Sequence, residues 1–454
     1  MQSHDIALRM RNALTAIAQK NGARLAIVES PPGPPVLDSI VAQVTGNPGV
    51  PYRLLQAAAS TVRHRLAMEP GVVDTDDSIQ APEKRLIFKI DRTKAALNGI
   101  TAAQIANTLR VALHGSDIGL VHQPRRRTPL EIRLRLPRPA RSSTAMLGRL
   151  NITGGNGRLI PLTELGHWQH RQAGQAIYHK DLHRLVYVYA DTAGRPPVNA
   201  VVDVVADRLR DSATPAVAGM THTGAGWIHE VKPRLLAGRS FFHNGSGIAW
   251  QLPPGVHVNF AGEGELRITE HVFRDLGIAF GAAMVAIYVL LVAQTGAFLL
   301  PLIIMLAIPL TIPGVMPGFF LLNQIDRSTP GGYASPVFFT ATAMIGMIAL
   351  SGIVTRNSVI LIDFIHRSLE RGMPLADAIL ESCVVRLRPI LLTAAAAMFS
   401  SIPILTDPVF SGLAWALIFG LFASTFFTLF VVPVAYWILF HNKPGHGLPL
   451  NTQD

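Results

Sequence analysis

The sequence predicts an α+β water-facing region of small βαβ units followed by a five-helix transmembrane bundle. Three observations carry that prediction. Five long apolar stretches crowd the chain after Phe273. Short β-rich runs alternate with helix signals before it. The charge is also divided: residues 1–270 hold 32 Lys/Arg and 21 Asp/Glu, whereas residues 271–454 hold 8 of each. A basic, water-facing part is joined to a neutral, apolar one.

Composition narrows the class. The 454 residues correspond to about three average domains. Only 15% are charged, against roughly 25% in an ordinary soluble domain. Mean hydropathy is +0.32, which argues against a purely soluble or disordered chain. A single cysteine, Cys383, excludes an intrachain disulfide and any zinc site built on paired cysteines.

The expected spans are residues 276–293, 298–322, 337–363, 389–405 and 413–440. Each is near or above the twenty or so residues that cross a bilayer as helix, the fourth being shortest. Only Gln294–Ala297 separate the first two, so they should form a tight helical hairpin. Ile365, Leu369, Leu375, Ile379 and Val384 recur at roughly helical spacing, predicting a helix over 364–385 along the membrane surface.

Orientation follows from the short connections. Arg367, Arg371, Arg386 and Arg388 lie between spans three and four, and Lys443 follows span five. Cationic short loops mark the cytoplasmic side, which puts the tail 441–454 in the cytoplasm and residues 1–270 across the membrane, the periplasm of a bacterial inner membrane. Met1–Asn21 has no apolar core like that of a secretory signal, so the expectation is that upstream spans carry this region across.

In the water-facing part, Arg24–Glu29, Leu86–Ile90 and Leu185–Tyr189 read as strands. Leu130–Leu136 alternates strictly, with Ile132, Leu134 and Leu136 on one face and Glu131, Arg133 and Arg135 on the other. Thr101 is an N-cap for a helix to about Leu113, ended by Gly115. Gly154–Gly157 is a hairpin turn, and Pro31–Pro35 is rigid punctuation. The run Arg125–Arg127, continued by Arg133, Arg135, Arg138 and Arg141, reads as a solvated face or a contact for an acidic partner or anionic lipid; the topology argues against nucleic acid. His179/His183 and His167/His170 have the spacing of a helical metal clamp, but no carboxylate cluster accompanies them and Ile177–Tyr189 does not read as helix, so no metal and no cofactor is expected. Neither a phosphate-binding loop, His-Glu-x-x-His nor Gly-x-Ser-x-Gly occurs, which argues against the corresponding enzymes.

The third span carries the candidate site. Arg356 and Asn357 fall near its middle, and Asp363 follows two turns later. An arginine at bilayer depth costs at least about 2.5–3.5 kcal/mol on insertion scales, so it should face carboxylates across the bundle unless it snorkels to the interface. The interiors of the other spans supply none. Thr393, one turn into span four, could join such a network, and Arg386, Arg388 and Pro389 mark that span's start.

These residues have a familiar order. Phe339–Phe364, with Thr-Arg-Asn-Ser at its centre, and Arg386-Leu-Arg-Pro-Ile-Leu-Leu-Thr393 resemble the resistance–nodulation–division (RND) efflux permeases. So do Val28–Leu37, Ile90–Gly99 and Glu270–Ala279, and the matches run nearly the whole chain in the family's order. The branch of metal and multidrug exporters is most similar. The resemblance implies the C-terminal part of a twelve-span, proton-driven inner-membrane pump. It implies a periplasmic porter part (1–88), a docking-like subdomain (89–165), a returning porter part (166–272) and spans eight to twelve (273–440). It further implies a homotrimer, a periplasmic adaptor, an outer-membrane channel and an N-terminal half holding the acidic pair of the proton relay. The relay cation, usually lysine before the asparagine, matches Arg356 beside Asn357; the span-eleven threonine matches Thr393, and the arginine opening that motif matches Arg386. An insert-like segment, Gln324–Pro336, lengthens one loop. Two functions compete: a transporter part, or a non-transporting remnant or membrane-anchored scaffold.

Overall fold

The structure is a computed structural model that describes residues 3–29, 38–124, 127–240, 242–325, 328–407 and 409–441. Pro31–Pro35, Arg125, Arg126, Asp326, Arg327 and the tail from Asn442 lie outside the described residues.

In chain order, the first segment contributes α1 (Ser3–Lys20), β1 (Ile40–Gly46), α2 (Tyr52–Ala67) and β2 (Val72–Asp77). The middle segment contributes β3 (Lys84–Ile90), α3 (Ala102–His114), β4 (Ser116–Val121), β5 (Leu130–Leu134), β6 (Asn151–Thr153), β7 (Leu159–Pro161) and β8 (Gly166–Gln172), with several helices of one to two turns between them. Next come β9 (Tyr178–Lys180), β10 (His183–Thr192), α4 (Pro197–Ala206), β11 (Thr221–Thr223), β12 (Gly226–Ile228), β13 (Trp250–Gln251) and β14 (Val256–Glu263). The chain then runs through α5 (Gly264–Thr295), α6 (Leu299–Met305), α7 (Ile312–Ile325), α8 (Ala341–Glu370), α9 (Leu375–Ser401) and α10 (Ser411–Phe440). Two compact units result, residues 79–176 and the remainder.

In the larger unit, β14, β1, β10 and β2 pair in that order, all antiparallel, with β9 on β10. Leu185, Val186, Val188 and Ala190 of β10 are buried. Leu55, Ala58, Ala59, Val62 and Leu66 place an apolar stripe of α2 at helical spacing, and α2 packs on β10 and β2. The segment Arg24–Glu29 is not a strand. Its backbone meets a side chain instead of a neighbouring strand: Ile27 N–H donates to Asp74 Oδ2 at 3.0 Å, and Arg24 pairs with Asp76.

The smaller unit folds around Ala95, Ile100, Ile105, Ile152, Ile160, Leu162 and Leu165. Phe88 on β3 and Trp168 on β8 are directly opposed, with rings edge-to-face at 5.1 Å. Thr101 and Gln104 form a reciprocal capping box at the start of α3, which ends at Gly115 with φ +93°. β6 and β7 pair around the Gly154–Gly157 turn. His167 and His170 sit on β8, while His179 and His183 sit on paired strands β9 and β10, so neither pair forms a helical clamp.

Among the described residues, five helices are long and apolar enough to cross a membrane, counting α6 and α7 as one. Their association relies on small residues. Gly314 and Gly318 of α7 lie against Ala423 and Phe419 of α10, where a Cβ would come within 2.2 and 2.3 Å of those side chains. Gly420 of α10 likewise admits Leu350 of α8. This spacing is how helices approach closely in lipid. The second span departs from expectation: it breaks between Met305 and Ile312 into a 3₁₀ turn at Pro309–Thr311. Proline cannot donate to the helical ladder, and Pro309 and Pro313 stand together there; the Thr311 hydroxyl donates to the Ile308 carbonyl at 2.7 Å. A second correction concerns 364–385, which is not a helix of its own. Helix α8 continues to Glu370, the chain turns over Arg371–Pro374 with Gly372 at φ +84°, and α9 then runs unbroken through Pro389. Gly372 and Pro374 set the turn inside the apolar periodicity.

The described part of the insert-like loop is tied to the larger unit. Both side-chain amide atoms of Asn323 bind the Val337 backbone, at 2.8 and 3.0 Å. Asn12 of α1 donates to the Gly331 carbonyl at 2.9 Å, and a Cβ on Gly331 (φ +64°) would meet the Leu8 carbonyl at 2.1 Å.

Candidate functional site

Helix α8 has two faces of different character. Ser351, Thr355, Asn357 and Ser358 are buried. The Thr355 hydroxyl donates to the Ser351 carbonyl at 2.7 Å and the Ser358 hydroxyl to the Val354 carbonyl at 3.1 Å, so the hydroxyls satisfy themselves within the helix. Gly352, Arg356, Ile360, Asp363 and Arg367 follow one another at three- and four-residue spacing along the exposed face. Asp363 and Arg367 pair with each other at 2.8 Å. Arg356 forms no ion pair among the described residues. The adjacent candidates therefore diverge: Asn357 turns into the bundle and Arg356 turns out of it.

On α9, Ala378, Ser382, Ile390 and Ala394 are buried at four-residue spacing, except for position 386, where the same register carries a half-buried arginine. The Arg386 guanidinium stacks over the Phe364 ring at 5.0 Å. The Thr393 hydroxyl donates to the Ile390 carbonyl at 3.0 Å. Among the described residues, no hydrogen bond or ion pair joins Arg356, Asn357, Arg386 and Thr393 to one another. The structure places these candidates on two packed helices without assembling them into a network.

A second charged constellation lies in the larger unit outside the spans, and sequence reasoning missed it. Arg65 on α2 is fully buried and binds Glu69 at 3.0 Å and Asp207 at 2.8 Å. Arg195 binds Glu69 at 2.9 Å and Asp203 at 2.7 Å, and Arg239 binds the same two acids. Three cations thus meet three carboxylates. Asp203 also accepts from Gly245 N–H, and Asp207 accepts from Ser246 N–H. Burial raises the Asp203 carboxyl, but hydrogen bonds from Arg239, Arg195 and Gly245 outweigh it and hold the group below the usual range. Only Arg65 and Glu69 are near in sequence, at i, i+4; that spacing was the one available signal. No group of three or more histidine, cysteine or acidic residues suited to a metal occurs among the described residues.

The profile of the AcrB/AcrD/AcrF family matches residues 7–230 and 243–440. The chain belongs to that family. The AcrB/AcrD/AcrF family comprises RND efflux permeases, so this is a multi-pass membrane chain of a transporter family. Among curated relatives, the nickel and cobalt resistance protein CnrA of Cupriavidus metallidurans is 26% identical over 86% of this chain and 32% of its own length. The multidrug resistance protein MdtC of Serratia proteamaculans is 22% identical over 83% of this chain and 32% of its own. The swarming motility protein SwrC of Bacillus subtilis is 35% identical over 38% of this chain. The chain spans about a third of the length of CnrA and MdtC. A crystal structure titled a heavy metal efflux pump superposes with TM-score 0.59 at 20% identity, covering 90% of this chain and 35% of that one, which establishes the fold alone.

Proposed function

We propose that the chain is the C-terminal part of a proton-coupled inner-membrane efflux permease that exports small toxic compounds. The observation that carries this reading is Arg356: a permanent charge on the exposed stripe of a membrane helix, with no ion pair among the described residues. Such a charge is costly in lipid unless it meets an opposite one or reaches the interface. An N-terminal half would bring an intramembrane acidic pair to that stripe, and Arg356 would exchange with protons for those carboxylates. By resemblance to the family, Asn357 of α8 and Thr393 and Arg386 of α9 would join the relay in the completed pump, although in this chain Asn357 turns away from Arg356. The resistance that CnrA and MdtC are named for, to nickel and cobalt and to multiple drugs, supports a toxic cation or drug as cargo. Residues 1–270 would face the periplasm, where a homotrimer meets an adaptor and an outer-membrane channel, and the α8–α9 turn would face the cytoplasm. A reporter active only when exported, fused at Gly372, should be silent; activity there overturns the orientation.

A second reading rests on that same unpaired charge. Without the acids the chain is a non-transporting piece or scaffold, and should export nothing by itself. Dye efflux in a pump-deleted strain tests both. Uncoupler-sensitive efflux should require the chain together with the N-terminal half of a family member; efflux from this chain alone refutes the need for the missing acids, and no efflux from the pair refutes transport.

A further inference from the structure

The net charge of the chain belongs to one compact unit. Residues 79–176 hold 16 Lys/Arg and 5 Asp/Glu, whereas the rest of the chain holds 24 of each, so the smaller unit carries the whole formal charge of +11. Within it, the β4–β5 ribbon is the least covered element. Among the described residues these strands pair only with each other, and Ile118, Leu120, Ile132 and Leu134 are 44–62% exposed. A two-stranded ribbon without a buried face is marginal in water. Its two edges differ. β4 carries an extra residue, Ile118, where the register shifts between Asp117 and Gly119, and such a bulge blunts an edge. β5 is regular from Leu130 to Leu134, with Leu130, Ile132 and Leu134 alternating with Glu131 and Arg133. Arg133 is engaged, donating to Asp117 at 2.8 Å. Arg127 before the strand and Arg135 and Arg138 after it are exposed and form no ion pair among the described residues.

We propose that the outer edge of β5 is a docking edge for an extended acidic segment of a partner protein, which adds to the ribbon as a third strand. In strand addition the main chain supplies affinity and alternate side chains supply specificity. The incoming backbone pairs with the open edge of Leu130–Leu134, and its apolar residues cover Ile132 and Leu134. Its carboxylates meet the arginines at the two ends of the strand, Arg127 on one side and Arg135 and Arg138 on the other. Charge decides the partner's sign: a unit with eleven uncompensated positive charges attracts an acidic chain and repels a basic one. Anionic lipid would neutralise the same arginines but would leave the backbone groups of the edge unpaired. This inference rests neither on transport nor on the side of the membrane that the unit faces.

The test uses the full chain in detergent and a short fluorescent peptide of alternating valine and glutamate, read by anisotropy. The peptide should bind, and one of the same composition with its valines and glutamates in separate blocks should bind more weakly. Alternate amides of a strand point to opposite edges, so N-methylation of either the valines or the glutamates blocks one edge only. One of these two peptides should lose binding and the other should keep it. Arg135→Gln and Arg138→Gln should each weaken binding by up to about five-fold, as for an exposed ion pair, and Arg135→Lys should lose less. Ile132→Thr, which keeps strand propensity, should weaken it as well. These positions are exposed, and circular dichroism checks that the variants remain folded. No binding of the alternating peptide overturns the proposal, as does equal binding of the alternating and blocked peptides or of the two N-methylated ones. Saturable binding of short-chain phosphatidylglycerol in place of the peptide assigns the arginines to lipid and overturns it too. Export takes no part in the readout, so failure here and failure of transport are separate results.

Discussion

Two groups of arginines in this chain show opposite solutions to the same electrostatic problem. Arg65, Arg195 and Arg239 are buried and each touches two acids drawn from Glu69, Asp203 and Asp207. Arg356 sits on an exposed membrane-helix face and touches none among the described residues. The first group is a closed clasp whose members neutralise one another. The second is unpaired among the described residues, and on the proposed reading a further carboxylate would meet it. On the proposed reading, completeness of pairing, and not charge alone, separates the two groups.

The comparison breaks most visibly at Glu69. Glu69→Ala leaves three buried guanidiniums sharing two acids, and loss of one partner in a buried pair typically costs about 3–5 kcal/mol. Denaturant unfolding of the purified chain should show a lowered midpoint for the part of the larger unit that lies outside the spans. A midpoint shift near zero would mean that the clasp is hydrated in solution and comparable to the open arginine.

A conformational test sharpens the same contrast at the loop that meets α1. Gly331→Ala places a Cβ against the Leu8 carbonyl at positive φ, at a cost of order 1–3 kcal/mol. Hydrogen exchange of α1 amides should accelerate, while the clasp residues keep their protection. Equal acceleration in both regions would show that the loop supports the clasp as well.

Acid gives a smaller effect with a definite sign. The folded Asp203 carboxyl is held below its unfolded value, so its contribution is fully present above pH ~4 and is lost as pH falls through the folded value. Stability should therefore decline in that acid window, and Asp203→Asn should flatten part of the decline while lowering stability at neutral pH. An unchanged acid profile in Asp203→Asn would remove Asp203 from the account.

Much of the architecture was legible because it is written locally. Apolar length marked the membrane helices, Thr101 and Gly115 marked the ends of α3, and Gly154–Gly157 marked the β6–β7 turn. Two local signals were misweighed. Pro309 and Pro313 break the second span, and Gly372 with Pro374 turn the chain within what reads as one amphipathic helix. The clasp was hidden for a different reason: Arg65 meets Asp207 across 142 positions and Arg195 meets Glu69 across 126, and no local pattern encodes such pairing. At the site, the sequence located Arg356, Asn357, Arg386 and Thr393 on their helices, but not the opposite facing of Arg356 and Asn357, which follows from helical phase against neighbours distant in sequence.

The central claim is that Arg356 is an open valence for an acid from outside this chain. In the chain alone, Arg356→Ala should leave stability within about 0.5 kcal/mol, as for a surface substitution. In a permease completed by an N-terminal half, uncoupler-sensitive efflux is the direct measurement. Arg356→Ala should abolish efflux with membrane insertion intact, because the carboxylates it faced would lose their counter-ion and take up protons, and Arg356→Lys should retain much of it. Efflux by Arg356→Ala equal to the parent would contradict the account and place Arg356 at the lipid interface instead.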